Sequence, residues 1–350
     1  MAGAVLAGSA ACGTAEQLSA GSKLDRAFEE LGKEKTLSFE LGLDTDAATL
    51  KALDAKSEPA PGDEIPDEVA ELISDATVTF TVQSKKPIEE SGEKDFVGMA
   101  MKVSSPDGDL AEYRMIGDHA YVRADIGAIG RMTGSPVPDA GDLPPEAGAF
   151  KSVLEGKWVK FDTKEMEEAA AEGQETGDAP APDRTLDAKT QKKLVEALRT
   201  VVAREVDFKT ADGEDGAERI TATAPFRTLL TKLLGEIRPL AKDLPPGMDL
   251  PTDKDLKEAP DTKVTADFTL KDGELTEVDV DLAPLAENAE VKKLGLTLRV
   301  SDGAMPTAPA GATELDPKEL LGGLFGGPML DDADLAESDL ADLGLPEDEL

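Results

Sequence analysis

Two alternating runs constrain the fold more than anything else in this chain. Val264-Thr-Ala-Asp-Phe-Thr-Leu270 and Leu275-Thr-Glu-Val-Asp-Val-Asp-Leu282 flank Lys271-Asp-Gly-Glu274. Successive side chains of a strand point to opposite faces, so a period of two puts one residue class on each side. Asp-Gly between two such runs is a strong local hairpin signal. The pattern recurs along the chain. Leu37, Phe39, Leu41 and Leu43 alternate with Ser38, Glu40 and Gly42, and Val78, Phe80 and Val82 alternate with threonines. Val97, Met99, Met101 and Val103 line one face of a further strand. Residues 112–116 and 120–124 flank the turn Gly117-Asp118-His119, and 157–161 forms another strand. Residues 206–210 and 217–223 join through Ala-Asp-Gly-Glu-Asp-Gly, and Leu294, Leu296, Leu298 and Val300 make the last strand. Hairpins in succession favour an antiparallel sheet with one covered face and one wet face.

Helical stretches interrupt the strands. Leu24, Ala27, Phe28 and Leu31 share a face over 23–33. Asp162 and Glu165 have the spacing of a capping box for a helix that Gly173 would end. Leu194, Leu198, Val201 and Val202 form a stripe over 188–204 behind Asp187. Pro225 suits the first turn of a helix over 226–242, whose broad apolar face carries Phe226, Leu229, Leu230, Leu233, Leu234, Ile237 and Leu240. Pro239 should distort its last turn. The strands and helices alternate irregularly, without a Gly-rich βαβ pattern. The expected class is α+β: a large curved, half-barrel-like antiparallel sheet with helices on one face. Residues 134–148 and 173–183 read as loops, rich in Pro, Gly, Ala and acid.

The single cysteine, Cys12, ends the apolar N-terminal stretch. Ala10-Ala-Cys-Gly13 resembles a bacterial lipobox, at which the chain is cut before a cysteine that carries a diacylglycerol and palmitate anchor. Ser9 stands where such signals usually have Leu, Val or Ile, and no positive charge precedes Lys23. Secretory signals begin with a basic segment, so the resemblance implies that the true signal peptide starts upstream of Met1. The expected organisation is a truncated signal over 1–11, a flexible tether over 12–22, a domain over 23–301, and an acidic, largely disordered tail over 302–350. No Lys or Arg follows Lys318, and such a tail buries too little apolar surface to offset its ordering entropy. Leu320, Leu321, Leu324 and Phe325 have the spacing of a short docking helix within it.

A net charge of −36 argues against nucleic-acid partners, whose phosphates need Lys and Arg. Aromatic residues make up 4% of the chain, too few for base or sugar platforms. His119 is the single histidine, and it falls in a hairpin turn. No other residue could serve a His-dependent triad, and neither H-E-x-x-H nor cysteine zinc spacing occurs. Asp212-Gly-Glu-Asp215 and Asp331-Asp-Ala-Asp334 lack the spacing of a Ca²⁺ loop. No catalytic residues, metal or cofactor are expected, and the chain is read as a non-enzyme.

The segments Glu112-Tyr-Arg-Met-Ile-Gly-Asp-His-Ala-Tyr-Val-Arg123, Gly156-Lys-Trp-Val-Lys-Phe-Asp162 and 263–282 resemble actinobacterial lipoproteins of the LppX/LprG type and their LolA-like relatives. The resemblance covers about 24–300. It implies a curved sheet closed on one side by helices, with lipid or acyl chains bound between them. By face, Phe39, Phe80, Met99, Met101, Met115, Phe268 and Val280 would line the sheet side. Phe226, Leu230, Leu233 and Ile237 would line a helical lid. Methionine adapts to variable apolar shapes, which suits an acyl surface. The implied role is an extracytoplasmic lipid carrier, lipid-anchored on the outer face of the cytoplasmic membrane, with a hydrophobic ligand and an envelope protein as partners. The alternative is a non-catalytic envelope interaction module with a filled core and an acidic surface.

Overall fold

The structure is a computed structural model that describes residues 9–57, 59–60, 64–133, 137–141, 143, 148–165, 188–243, 250–286, 291 and 293–315. The helices among them are α1 (Ser9–Lys33), α2 (Ala47–Lys56), α3 (Asp67–Asp75), α4 (Ile126–Thr133), α5 (Gly148–Leu154), α6 (Ala188–Glu205), α7 (Phe226–Ile237) and α8 (Asp253–Glu258). The strands are β1 (Thr36–Asp44), β2 (Thr77–Ser84), β3 (Phe96–Ser105), β4 (Gly108–Ile116), β5 (His119–Ala124), β6 (Val159–Asp162), β7 (Asp207–Asp212), β8 (Glu218–Pro225), β9 (Lys263–Lys271), β10 (Glu274–Asp281), β11 (Gly295–Ser301) and β12 (Thr313–Glu314).

All twelve strands join one open sheet in the order β12-β6-β5-β4-β3-β2-β1-β11-β10-β9-β8-β7. Every pairing is antiparallel except that of β12 with β6. The sheet is not closed into a barrel, and the class is α+β as expected. The β9–β10 hairpin turns at Asp272 and Gly273, with φ of 55° and 89°. Two consecutive positive φ values match the primed turn that Asp-Gly favours.

The register makes the alternation two-dimensional. One row runs Phe39–Phe80–Met101–Tyr113–Val122–Val159 across β1 to β6. Its neighbour runs Ile220–Phe268–Val278–Leu298–Leu41–Val78–Val103. Paired residues share a face, so one side of the sheet is continuously apolar. The opposite side is a polar lattice. Arg299 joins Glu277 at 2.9 Å and Glu40 at 3.1 Å, and Thr297 donates to Asp279 at 2.7 Å.

Helix α1 crosses one end of the apolar face. Its 25 residues span about 37 Å, enough for the roughly 29 Å of six strand spacings between β7 and β2. Ala20, Leu24 and Ala27 pack on Ile220, Leu270, Leu275, Val300 and Leu37, and this cluster is the main closed core. Glu16 accepts from the Thr210 N–H and Gln17 donates to Asp207, while Lys23 pairs with Glu218.

This corrects the expectation of a polar tether over 12–22, because that segment lies inside α1. Ala20 continues the Leu24–Ala27–Leu31 stripe by one turn, and tertiary burial of that stripe outweighs the poor helix propensity of Gly13, Gly21 and Ser22. The helix over 226–242 is α-helical to Ile237 and then becomes a 3-10 turn over Arg238–Asp243, where Pro239 distorts it as expected. Asp162 accepts from the backbone of Lys164 and Glu165, which is its expected capping role. Asp187, Gly173 and the loop over 173–183 lie outside the described residues, as does much of 134–148.

The boundary at 301 also moves. The chain continues from β11 across the polar face. A Cβ on Gly303 would stand 2.8 Å from the Thr81 side chain, so a larger residue could not pass there unchanged. Pro306 is buried opposite Gly98, and Arg114 donates to the Thr307 carbonyl at 2.8 Å. The strap ends at β12, where Thr313 and Leu315 donate to the carbonyls of Trp158 and Lys160. Residues 302–315 therefore belong to the fold. Their backbone donors find partners on the sheet, which composition alone does not reveal. Residues 316–350 lie outside the described residues.

Candidate functional site

The candidate site is the middle of the apolar face. In a filled core, the central residues of a wide sheet are buried on the apolar side. Here Met101 is 43% exposed and Leu41 is 39% exposed. Both sit on strands with neighbours on either side, so sheet edges do not explain their exposure. Phe39, Phe80, Tyr113 and Val122 beside them are half-buried. Elements wall this area at its margins. Helix α1 closes the end near Leu37 and Leu270, α3 abuts β1, α4 abuts β4, and α5 abuts β5 and β6.

The sheet residues expected from sequence fall on this one face. Phe80 and Met101 pair directly, Met99 pairs with Met115, and Val280 pairs with Ala266 and Leu296. Phe39 and Phe268 pack against the closed core beneath α1. Phe28 of α1, half-exposed, meets Phe268 edge-on with ring centroids 6.4 Å apart. It thus marks the border between closed core and open face.

The expected lid behaves differently. Phe226, Leu230, Leu233 and Ile237 are all half-buried on α7, at spacings that share one face. That helix packs on α6, α8 and β8, and β8 lies six strands from β3 in the sheet. The structure therefore gathers the four residues but sets them near the β7–β8 side, away from Met101. Leu234, read on the same apolar face but not among the four lid residues, is the buried residue of that helix.

The polar face behind the site is held rigid. Glu112 is buried beneath the strap and meets Arg114 at 2.6 Å and Arg123 at 3.1 Å. Both guanidinium groups lie over Trp158, 4.8 and 5.2 Å from its ring centre, within cation–π range. The hydrogen bond to Glu40, with Glu277 assisting, holds the Arg299 guanidinium above its ordinary pKa. None of these groups reaches the apolar side.

The chain is similar to the crystal structure of the lipoprotein LppX of Mycobacterium tuberculosis, with 10% identity over 83% of this chain and 98% of that chain, at a TM-score of 0.31. It is also similar to that of LprF from Mycobacterium bovis, with 11% identity over 85% of this chain and 99% of that one, again at 0.31. No protein-family model and no curated protein matches the chain. LppX is a lipoprotein of the type that the sequence resembles.

The polar chemistry offers little else. His119 opens β5, with its ring 6.4 Å from that of Tyr121, and pairs in register with Ile116 and Asp162. Among the described residues, no group of three His, Cys, Asp or Glu side chains is arranged to hold a metal. No described helix is long and apolar enough to cross a membrane. Sequence reasoning left out Leu41, Tyr113 and Val122 as site residues. Alternation carries the signal for each, but only the register brings Tyr113 and Val122 into the same row as Met101.

Proposed function

We propose that this chain binds a hydrophobic ligand, a lipid or acyl chain, on the apolar face around Phe80, Met99, Met101 and Met115. Phe39 and Phe268 border that surface where the closed core begins, Val280 lies farther along the same face beside Ala266 and Leu296, and α7 stands toward the β7–β8 side. The single observation that carries the reading is the exposure of Met101 and Leu41 at the centre of a twelve-stranded sheet. Exposed apolar area of this kind is costly in water, and covering it with an acyl chain gains about 0.8 kcal/mol per CH₂ buried. The role is carriage without catalysis. The lipobox-like Ala10-Ala-Cys12 supports a lipid-anchored location outside the cytoplasmic membrane.

Native mass spectrometry of the protein purified from its own host's membranes tests the ligand. Co-purifying lipid mass that organic extraction removes is the expected result. A protein that carries none, and binds no acyl probe after delipidation, leaves the interaction-module alternative. The anchor is tested separately. Cys12→Ser, expressed behind an intact export signal, should move the protein from membrane to medium, and unchanged membrane retention would refute lipidation.

A further inference from the structure

We infer that the outer side of α6, together with the start of α1, docks on the anionic bilayer surface that holds the protein. The inference rests on the anchor at Cys12 proposed above and adds the part of the protein that meets the membrane.

The argument starts from charge. Acids outnumber bases by 73 to 37 in the whole chain. Helix α6 reverses that balance, with Lys189, Lys192, Lys193, Arg199 and Arg204 against Glu196 and Glu205. Its inner side is marked by Thr190, Ala197 and Val201, all buried. With 3.6 residues per turn, Arg199 stands opposite both Ala197 and Val201. Arg199 and Arg204 are exposed, and Leu198 is 48% exposed beside them. Among the described residues, Lys193, Arg199 and Arg204 take part in no ion pair. The arginines of the polar sheet face are used differently, since Arg114, Arg123 and Arg299 all bind carboxylates.

Place supplies the second observation. Helix α6 runs into β7 with only Val206 between them. The start of α1 is fastened at the same junction. The Gln17 side chain donates to Asp207 at 3.1 Å, and Glu16 accepts from the Thr210 N–H at 3.3 Å. The two acids there, Glu16 and Asp207, thus already accept hydrogen bonds from the fold. Cys12 precedes Gln17 by five residues, about 8 Å along the helix. Leu18 is 77% exposed, the most exposed large apolar side chain among the described residues. The anchor, an exposed leucine on each helix and the basic side of α6 converge on one edge of the sheet.

Electrostatics select the surface that such an edge meets. The net charge of −36 repels anionic lipid, but salt screens that repulsion beyond about 8 Å under physiological conditions. Helix α6 is about 27 Å long. Once the anchor holds this edge at the bilayer, the nearest charges are those of the helix. Each cation close to an anionic leaflet strengthens binding about fivefold. Exposed leucines beside the cations enter the headgroup layer, as in interfacial helices.

Vesicle binding by the full-length Cys12→Ser chain, made without acylation, tests the surface apart from the anchor. It should sediment at low salt with vesicles of equal parts phosphatidylglycerol and phosphatidylcholine, and not with phosphatidylcholine alone. Adding Lys193→Gln/Arg199→Gln/Arg204→Gln should weaken that binding by about a hundredfold, with the urea midpoint confirming that the fold is kept. No binding to the anionic vesicles, or binding that survives the triple substitution in a folded protein, would overturn the proposal. A second measurement leaves the cations in place. A nitrobenzoxadiazole dye on Leu198→Cys, in the Cys12→Ser chain, should shift to the blue on the anionic vesicles. The same dye on Asp118→Cys, at the exposed β4–β5 turn across the sheet from β7, should not. Equal shifts at both positions, or none at Leu198→Cys, would refute docking through α6. Vesicle binding as expected, with no acyl mass on Cys12 of the unmodified chain, would uphold the docking surface and reject the anchor.

Discussion

Replacing Met101 by Trp separates an open face from a filled core. Met101 stands between Phe80 and Tyr113, with 43% of its surface exposed. In a filled core the larger ring would force its neighbours off their rotamers, at a cost of about 1–3 kcal/mol. On an open face the ring lies along the row and displaces water, and stability changes by less than about 1 kcal/mol. Ile220→Ala supplies the internal standard. Ile220 is 0% exposed beneath α1 and belongs to the closed core, so its truncation should cost about 2–5 kcal/mol. With a urea slope of about 2 kcal/mol per molar, Ile220→Ala lowers the unfolding midpoint by roughly 1–2.5 M, whereas Met101→Trp shifts it by less than about 0.5 M. The same Met101→Trp protein should bind dansyl-undecanoic acid more weakly, because the indole takes space the chain would use. If Met101→Trp lost as much stability as Ile220→Ala, with unchanged slopes, the face would be a packed core and the proposed binding surface would be wrong.

Other expectations follow from the strap and the caps. Leu315→Ala should cost about 2 kcal/mol or more, because Leu315 is buried against Val159; a midpoint indistinguishable from that of the unmodified chain would show that 302–315 is dispensable. Acid should loosen the helix starts. The Asp46 carboxylate is held below its ordinary pKa first by the Thr49 backbone N–H, and Asp255 first by that of Thr252. A lowered folded-state pKa stabilises the fold above the unfolded value, and that stabilisation is lost as pH falls through the folded one. Carboxyl NMR titration should therefore place both groups below a reference peptide, and values at or above the reference would contradict the caps.

How much of this was legible in the sequence depends on whether a signal was local or relational. The β9–β10 hairpin was readable because alternation and Asp272-Gly273 both lie within a few residues. Pro239 announced the end of α7 for the same reason. The start of α1 was not, because Gly13, Gly21 and Ser22 suggest a tether and only packing on Ile220 and Leu270 makes the segment a helix. The strap was hidden because its hydrogen bonds reach back more than 100 residues, to Arg114 and Trp158. Helices α2 and α3 went unread, α2 having no buried residues to mark an apolar stripe. At the site, alternation revealed which face Met99, Met101 and Phe80 share. The position of α7 relative to them depends on strand order, which no single segment encodes.

The seam between β1 and β11 carries a kinetic consequence. Strands β1 to β6 form one half of the sheet from residues 36–162, and β7 to β11 form the other from 207–301. Within each half, neighbours in the sheet are neighbours along the chain, so loop closure is cheap and zipping is rapid. The ladder that unites them pairs Ser38 with Ser301 and Phe39 with Val300, across nearly the whole domain. Two stitches straddle that ladder, α1 on one side and the strap on the other, and neither can be tied before both halves exist. Folding should therefore proceed as two separate condensations followed by one slow docking. Pulse-labelled hydrogen exchange would register this as protection in β3–β4 and β8–β9 ahead of β1 and β11, and simultaneous protection across the seam would exclude it.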